Sequence, residues 1–188
     1  MLLRRIPLVG ALLLVVAAIC GVALAARSYP DSVGDVKRGA GPDITSVRLS
    51  NTASKLTFRV RFASAPPLRL STREKWVDML LIGIDVPPLG PRPMMPGGEW
   101  LGADYALGTH GPSTIGQLVR LGNQVAPPIR FTVVTSGRDL VLSVPRRSLG
   151  NPLWFRFNVV AAREGESQDA DGGFDVAPQR GTFLYRLS

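Results

Sequence analysis

Cysteine is nearly absent from this chain. Cys20 stands alone, so no intramolecular disulfide is available, and its place inside an apolar N-terminal run removes thiol and redox chemistry from the rest of the protein. Histidine is as scarce, His110 being the single example. Zinc is set aside, because its sites are built from several Cys and His ligands. A Ser-His-Asp hydrolase is left with one imidazole, in Gly108-Thr109-His110-Gly111-Pro112, and no Gly-x-Ser-x-Gly elbow accompanies it. Helical periodicity is missing too. No segment beyond the N-terminus keeps an apolar face for three turns, which excludes a helical bundle. Aromatics make up only 7% of the chain, and Phe58, Phe62, Phe131, Phe155 and Phe157 sit at core-facing positions, so few rings remain for a binding surface.

One long hydrophobic run is present. Met1 to Arg5 is short and basic, Ile6 to Ala25 is almost continuously apolar, and Ala23-Leu24-Ala25 has the small-x-small form that a signal peptidase needs. Cleavage after Ala25 or Ala26 is the expected outcome, giving a signal over 1–26, one domain over 27–188 and a secreted, envelope-associated location. The alternative is an uncleaved anchor over residues 6–26, with Arg4 and Arg5 holding its start in the cytoplasm. Bulky Ile19 before Cys20 argues against lipid attachment.

The net charge is +8, and loss of Arg4 and Arg5 with the signal still leaves basic side chains in excess over the 14 acidic ones. Outside the cytoplasm such a surface meets anionic wall polymer, lipid headgroups or acidic glycans. The plain alternative is compositional, because arginine far outnumbers lysine and Ala, Gly and Pro abound.

Strand signals dominate the remainder of the chain. Lys55 to Phe62 alternates strictly, with Leu56, Phe58, Val60 and Phe62 on one face and Lys55, Thr57, Arg59 and Arg61 on the other. Ile44 to Ser50 is β-branched and apolar, and Asn51 to Ser54 turns it into an antiparallel hairpin that puts Arg48 beside Arg59 and Arg61. Further strands are expected at Val77 to Asp85, Asp104 to Leu107, Gln117 to Leu121, Ile129 to Thr135, Asp139 to Val144, Leu153 to Ala161 and Gly181 to Leu187. Ser136-Gly137-Arg138 makes a tight turn, and Pro145 to Gly150 only a helical turn before Pro152. Pro87 to Gly98 reads as a long, proline-stiffened surface loop. Many short strands punctuated by Gly and Pro predict an all-β, antiparallel β-sandwich.

The string from Asp31 to Phe62, Gly102-Ala103-Asp104-Tyr105, and Asp175-Val176-Ala177-Pro178 with Gly181 to Tyr185 after it carry a resemblance over Tyr29 to Ser188. They resemble secreted bacterial DOMON-like domains, relatives of the family nine carbohydrate-binding modules. The resemblance implies a jelly-roll-like sandwich, an accessory role, and a sugar, haem or metal ligand at loops or on a concave sheet face. The loop after Asp85 departs from the acidic, Gly-rich stretch of that group and carries prolines and methionines instead.

Calcium suits the acidic residues best, since it takes six to eight oxygens. Asp31, Asp35 and Asp43 precede the first expected strand and Asp169, Asp171 and Asp175 the last, and a sandwich brings such terminal segments together. Ser167 to Gly172 matches part of a calcium loop, but Pro178 occupies the position of the bidentate glutamate. Turn formation is the ordinary role of such aspartates. Trp76, Trp100 and Tyr105 flank the proline-rich loop and are candidates for stacking on sugar rings, against the alternative of core packing. Arg59 and Arg61 are candidates for anionic polymer, against a plain solvated face. Glu74, Asp78, Asp85, Glu99 and Asp104 are carboxylates near the same loops that a glycosidase requires in pairs. Nucleic acid is not expected, because no aromatics interleave with the outward arginines. The leading expectation is a non-catalytic module for envelope or extracellular polysaccharide, with a structural calcium. A hydrolase using loop carboxylates or His110, and a passive envelope protein, are the alternatives. The sequence sets no oligomeric state.

Overall fold

A computed structural model describes residues 25–37, 41–66, 70–71, 76–87, 103–121, 127–165 and 173–187. The expected signal through residue 24, Trp100, Asp169, Asp171, Glu74, Glu99 and most of the proline-rich loop lie outside these. Among the described residues no helix is long and apolar enough to cross a membrane.

Twelve strands appear among the described residues: β1 Ala25–Pro30, β2 Ile44–Asn51, β3 Lys55–Phe62, β4 Leu70–Ser71, β5 Trp76–Asp85, β6 Tyr105–His110, β7 Ile115–Arg120, β8 Ile129–Ser136, β9 Asp139–Pro145, β10 Trp154–Gly165, β11 Phe174–Ala177 and β12 Phe183–Arg186. Every pairing is antiparallel. The order runs β1-β2-β3-β9-β8-β7-β6-β5-β10-β11, with β12 on β10 and β4 on β5. Strand β8 turns the corner of the sandwich. Its first half, Ile129 to Thr132, pairs with β7, and its second half, Val133 to Ser136, pairs with β9.

Period-two alternation explains the layers. Leu56, Phe58, Val60 and Phe62 of β3 are buried, as are Val47 and Leu49 of β2 and Leu140, Leu142 and Val144 of β9, while Arg59 and Arg61 face out. From the second sheet come Leu80, Ile82, Ile84, Leu107, Phe155, Phe157 and Val159. The rings interlock edge to face: Phe58 stands 5.8 Å from Phe157, which stands 5.2 Å from Tyr29.

The hairpin at Asn51 to Ser54, the turn at Gly137 and the 3-10 turn Arg146–Leu149 stand where the sequence puts them. Three strands are not legible in the sequence. β1 lies at the boundary of the expected signal, so cleavage after Ala25 or Ala26 trims only its outer end. β4 and β11 are very short. Strand β6 runs three residues further than expected and takes up His110, which the sequence suggests is a turn residue.

Sandwich edges are closed by long-range contacts in place of a disulfide. The Tyr29 hydroxyl donates to the Leu184 carbonyl at 2.7 Å, the Tyr185 hydroxyl to Asn51 Oδ1 at 2.6 Å, and Lys37 bridges to Phe174. Packing is equally tight at the corner, where a Cβ on Gly116 meets Phe131 Cζ at 2.1 Å. Gly116→Ala is expected to destabilise the fold by about 1–3 kcal/mol through overpacking. Chemical denaturation measures it, and an unchanged midpoint refutes the packing described.

Candidate functional site

The two ends of the sandwich differ in charge. At the Ile44 end of β2, the segment after β1 folds back over the seam between the sheets, Asp31 N bonding to the Thr45 carbonyl and Gly34 N to Asp43 Oδ2. Gly34 takes a positive φ of 82°, which lets this turn close without a Cβ. From the opposite sheet, β11 brings Asp175, fully buried, whose Oδ2 accepts the Ile44 N–H at 2.6 Å. Asp31, Asp35 and Asp175 come together with one oxygen of each within 4.8 Å of the others. Gln179 Nε2 donates to Asp35 at 2.8 Å and to Asp175 at 3.4 Å. One buried oxygen on each of Asp31, Asp35 and Asp43 has no hydrogen-bond donor among the described residues.

Such crowding shows in the acidities. Burial, then the charges of Asp175 and Asp35, push Asp31 up to about 7. Burial also pushes Asp175 up to about 6, with the Ile44 N–H opposing it and the charge of Asp35 adding to it. Chemically the cluster is a nest of hard oxygens with open valence, suited to an oxygen-seeking divalent cation.

Of the six aspartates expected to bind calcium, the fold therefore brings Asp31, Asp35 and Asp175 together and sets Asp43 beside them. Asp169 and Asp171 fall outside the described residues. The aromatic candidates are dispersed. Trp76 opens β5 and Tyr105 pairs with Ile84 near its other end, roughly 26 Å away at about 3.3 Å per residue. Tyr105 packs against the core. Trp100 lies outside the described residues. Asp78 and Asp104, weighed as hydrolytic carboxylates, are buried in structural bonds: Arg163 Nε reaches Asp78 at 2.8 Å, and Val86 N donates to Asp104 at 2.7 Å.

Arg59 and Arg61 converge on one buried carboxylate. Arg59 lies opposite Arg48, a like-charge pairing that costs stability unless compensated. Asp139 compensates it, taking Arg59 Nη1 at 2.9 Å and Arg61 Nε at 2.8 Å. The Arg61 hydrogen bond holds the Asp139 carboxyl below its usual range, opposed by burial and aided by Arg59.

At the other end of the sandwich, some 23 Å along β3 at about 3.3 Å per residue, the surface is basic and hydroxyl-rich. A cleft of about 700 Å³ is lined by Lys55, Arg147, Ser54, Thr132, Ser143 and Asn151 together with apolar Phe131, Val144 and Pro145. At the same end, but outside the cleft, Trp154 starts β10 with 37% of its surface exposed, paired with Arg186 and followed on the same face by Arg156. Trp154 is not among the residues that the sequence singles out. Its signal is the phase of β10: Phe155 and Phe157 are core, so Trp154 and Arg156 must point outward.

The chain matches no family model, no curated protein and no solved structure.

Opposite pH effects arise from these groups. With their raised values, Asp31 and Asp175 contribute stability that is full below the ordinary Asp value near 4 and is lost as pH rises through about 6 to 7. Asp139, held low, contributes stability present above that ordinary value and lost as pH falls through its lowered one. Chelator-treated protein is expected to melt highest near pH 5 and lower toward pH 8. Asp139→Asn is expected to cost about 1–2 kcal/mol at pH 5 and to blunt the acid limb. Melting curves across this range test both, and a midpoint rising from pH 5 to 8 contradicts the carboxylate assignment.

Proposed function

We propose that this protein is an exported, non-catalytic β-sandwich module that binds anionic polysaccharide at its basic end and carries a structural calcium ion at its acidic end. The observation that supports ligand binding most directly is the 700 Å³ cleft with Lys55 and Arg147 in its wall, at the end of the sandwich where Trp154 also stands, outside the cleft. An indole offers an apolar plane to a sugar ring, hydroxyls and amides meet its OH groups, and cations meet carboxylate or phosphate substituents. Arg186 beside Trp154 extends the positive field, whereas Arg156, which lies opposite Asp85, and Arg59 and Arg61, partly neutralised by Asp139, contribute less. This reading accords with the resemblance to DOMON-like domains and family nine carbohydrate-binding modules, and with the apolar N-terminal segment typical of export.

Affinity electrophoresis through gels containing polygalacturonate tests the ligand, with a neutral glucan as control. The native protein should be retarded by the polyuronate, less so as salt screens the contact. Trp154→Ala should weaken retention about tenfold, the ~1.4 kcal/mol scale of one aromatic contact, with melting little changed. Equal mobility in both gels, or full retention of the variant, overturns the proposal.

Calcium is supported separately by the unsatisfied oxygens of Asp31, Asp35 and Asp43 around Asp175. A cation bound only by the folded state raises the melting point. Calcium added to chelator-treated protein should do so at pH 8 more than at pH 5, where protons compete for the carboxylates. Asp35→Asn should abolish most of the rise. No response at either pH removes the ion.

A further inference from the structure

The outer face of the second sheet carries a different kind of site. β5, β6 and β7 lie side by side there, and residues paired in register share a face: Leu81 with Gly108 and Gln117, and Met79 with His110. The middle strand is almost bare on this side. It presents Ala106 and Gly108, and a Cβ on Gly108 lies 2.7 Å from the Leu80 carbonyl oxygen and 2.9 Å from Leu81 Cδ1. No larger side chain fits there. The result is a cavity of about 330 Å³ bordered by Met79, Leu81, Gly108, His110, Ile115 and Gln117, among others.

Met79 and His110 stand directly opposite each other across β5 and β6. Gly111 N donates to the Asp78 carbonyl at 2.8 Å, one residue outside the pair on each strand. In an antiparallel ladder that bond marks Met79 and His110 as a non-hydrogen-bonded pair, the type in which Cα atoms approach to about 4.5 Å and side chains lie nearest. Leu80 and Thr109, their chain neighbours, are buried, so both side chains point outward. His110 is exposed, and no described residue holds its ring by a hydrogen bond.

We propose that Met79 and His110 form a Cu(I) site on this outer face. A thioether and an imidazole are the donor set that a soft, monovalent copper ion accepts at low coordination number, and both are neutral. Leu81 and Ile115 make the surroundings apolar, and among the described residues no carboxylate borders the cavity. That favours an ion of single charge and turns away calcium, for which the acidic end offers oxygens. Zinc lacks the further nitrogen or thiolate ligands it needs. The site stands independently of the polysaccharide reading, and it assigns a role to the chain's one histidine, on strand β6.

Competition for Cu(I) held by bicinchoninate, under anaerobic conditions, tests it. The full chain is used with Cys20→Ser, Met94→Leu and Met95→Leu, so that Met79 is the one thioether beyond the initiator methionine. This background should withdraw one equivalent of copper. Met79→Leu, which keeps the side-chain volume, and His110→Asn should each weaken uptake by about tenfold or more, since loss of a mere outer-shell partner already costs about 10–100-fold. X-ray absorption at the copper edge should show one sulfur and one imidazole nitrogen. No uptake by the background, undiminished uptake by either variant, or a shell lacking sulfur overturns the assignment.

Discussion

The bond from the Ile44 amide to the buried carboxylate of Asp175 joins the two sheets at the side of the sandwich where no strand runs from one to the other. On the other side β8 crosses from one sheet to the other and needs no such device, because its backbone ladder is continuous. At the open seam an exposed row of amides invites pairing with another chain, and the described fold covers it with side-chain bonds from both termini. A carboxylate is well suited to this task because it accepts several N–H groups at once. It is also costly, since a buried charge must be offset. The neighbouring Asp31, Asp35 and Asp43 raise that cost by like-charge repulsion. A cation, or protons at lower pH, relieves it, so the closure of the fold and the ionic state of this end are one problem.

Separation of charge along the sandwich results from the same constraint. Carboxylates gather where the terminal segments cross the seam, and the arginines distribute over outer faces that need only solubility. Asp78 and Asp104 are bound elsewhere, Asp85 lies opposite Arg156, and Asp139 is a further exception. It stands on the outer face of β9, opposite Arg61, and tempers a row of cations that would otherwise repel one another across β2 and β3. The opposite end has no described carboxylate in its cleft, so the field at Lys55 and Arg147 stays positive. Two ionic ends some 23 Å apart along β3, more than a Debye length at physiological salt, are screened from one another.

Much of the sandwich is legible in the sequence because a half-buried strand writes its burial into alternate residues. Lys55 to Phe62 states its inner face, its outer face and its hairpin partner without help. β11 is not legible, since four residues of Phe-Asp-Val-Ala carry too little alternation, and an aspartate at a core-facing position argues against a strand until its partner is known. That partner, the Ile44 amide, lies 131 residues away in sequence. The convergence of Asp31, Asp35 and Asp175 is foreseeable from terminal proximity alone, whereas the dispersal of Trp76 and Tyr105 is not. Both flank one loop in sequence, yet a strand of ten residues holds them apart. Trp154 is easily overlooked for a related reason: next to Phe155 and Phe157 it looks like core, and only the phase of the strand reveals that it faces out.

Glycine decides where the second sheet can hold a ligand. On the inner side of β7, Gly116 leaves room for the Phe131 ring, so the aromatic enters the core at the corner instead of pushing the sheets apart. On the outer side of β6, Gly108 leaves room for nothing from the protein itself, because the adjoining backbone of β5 lies too close for a side chain. One absence of a Cβ is therefore filled and the other stays open. The open one lies one row along the sheet from Met79 and His110, so the hollow and its two donor side chains arise from the register of β5 and β6. Shifting that register by one residue would turn His110 inward against Leu80 and bring Thr109 out. The interior that excludes a polar ring from the core thus also maintains its exposure on the face.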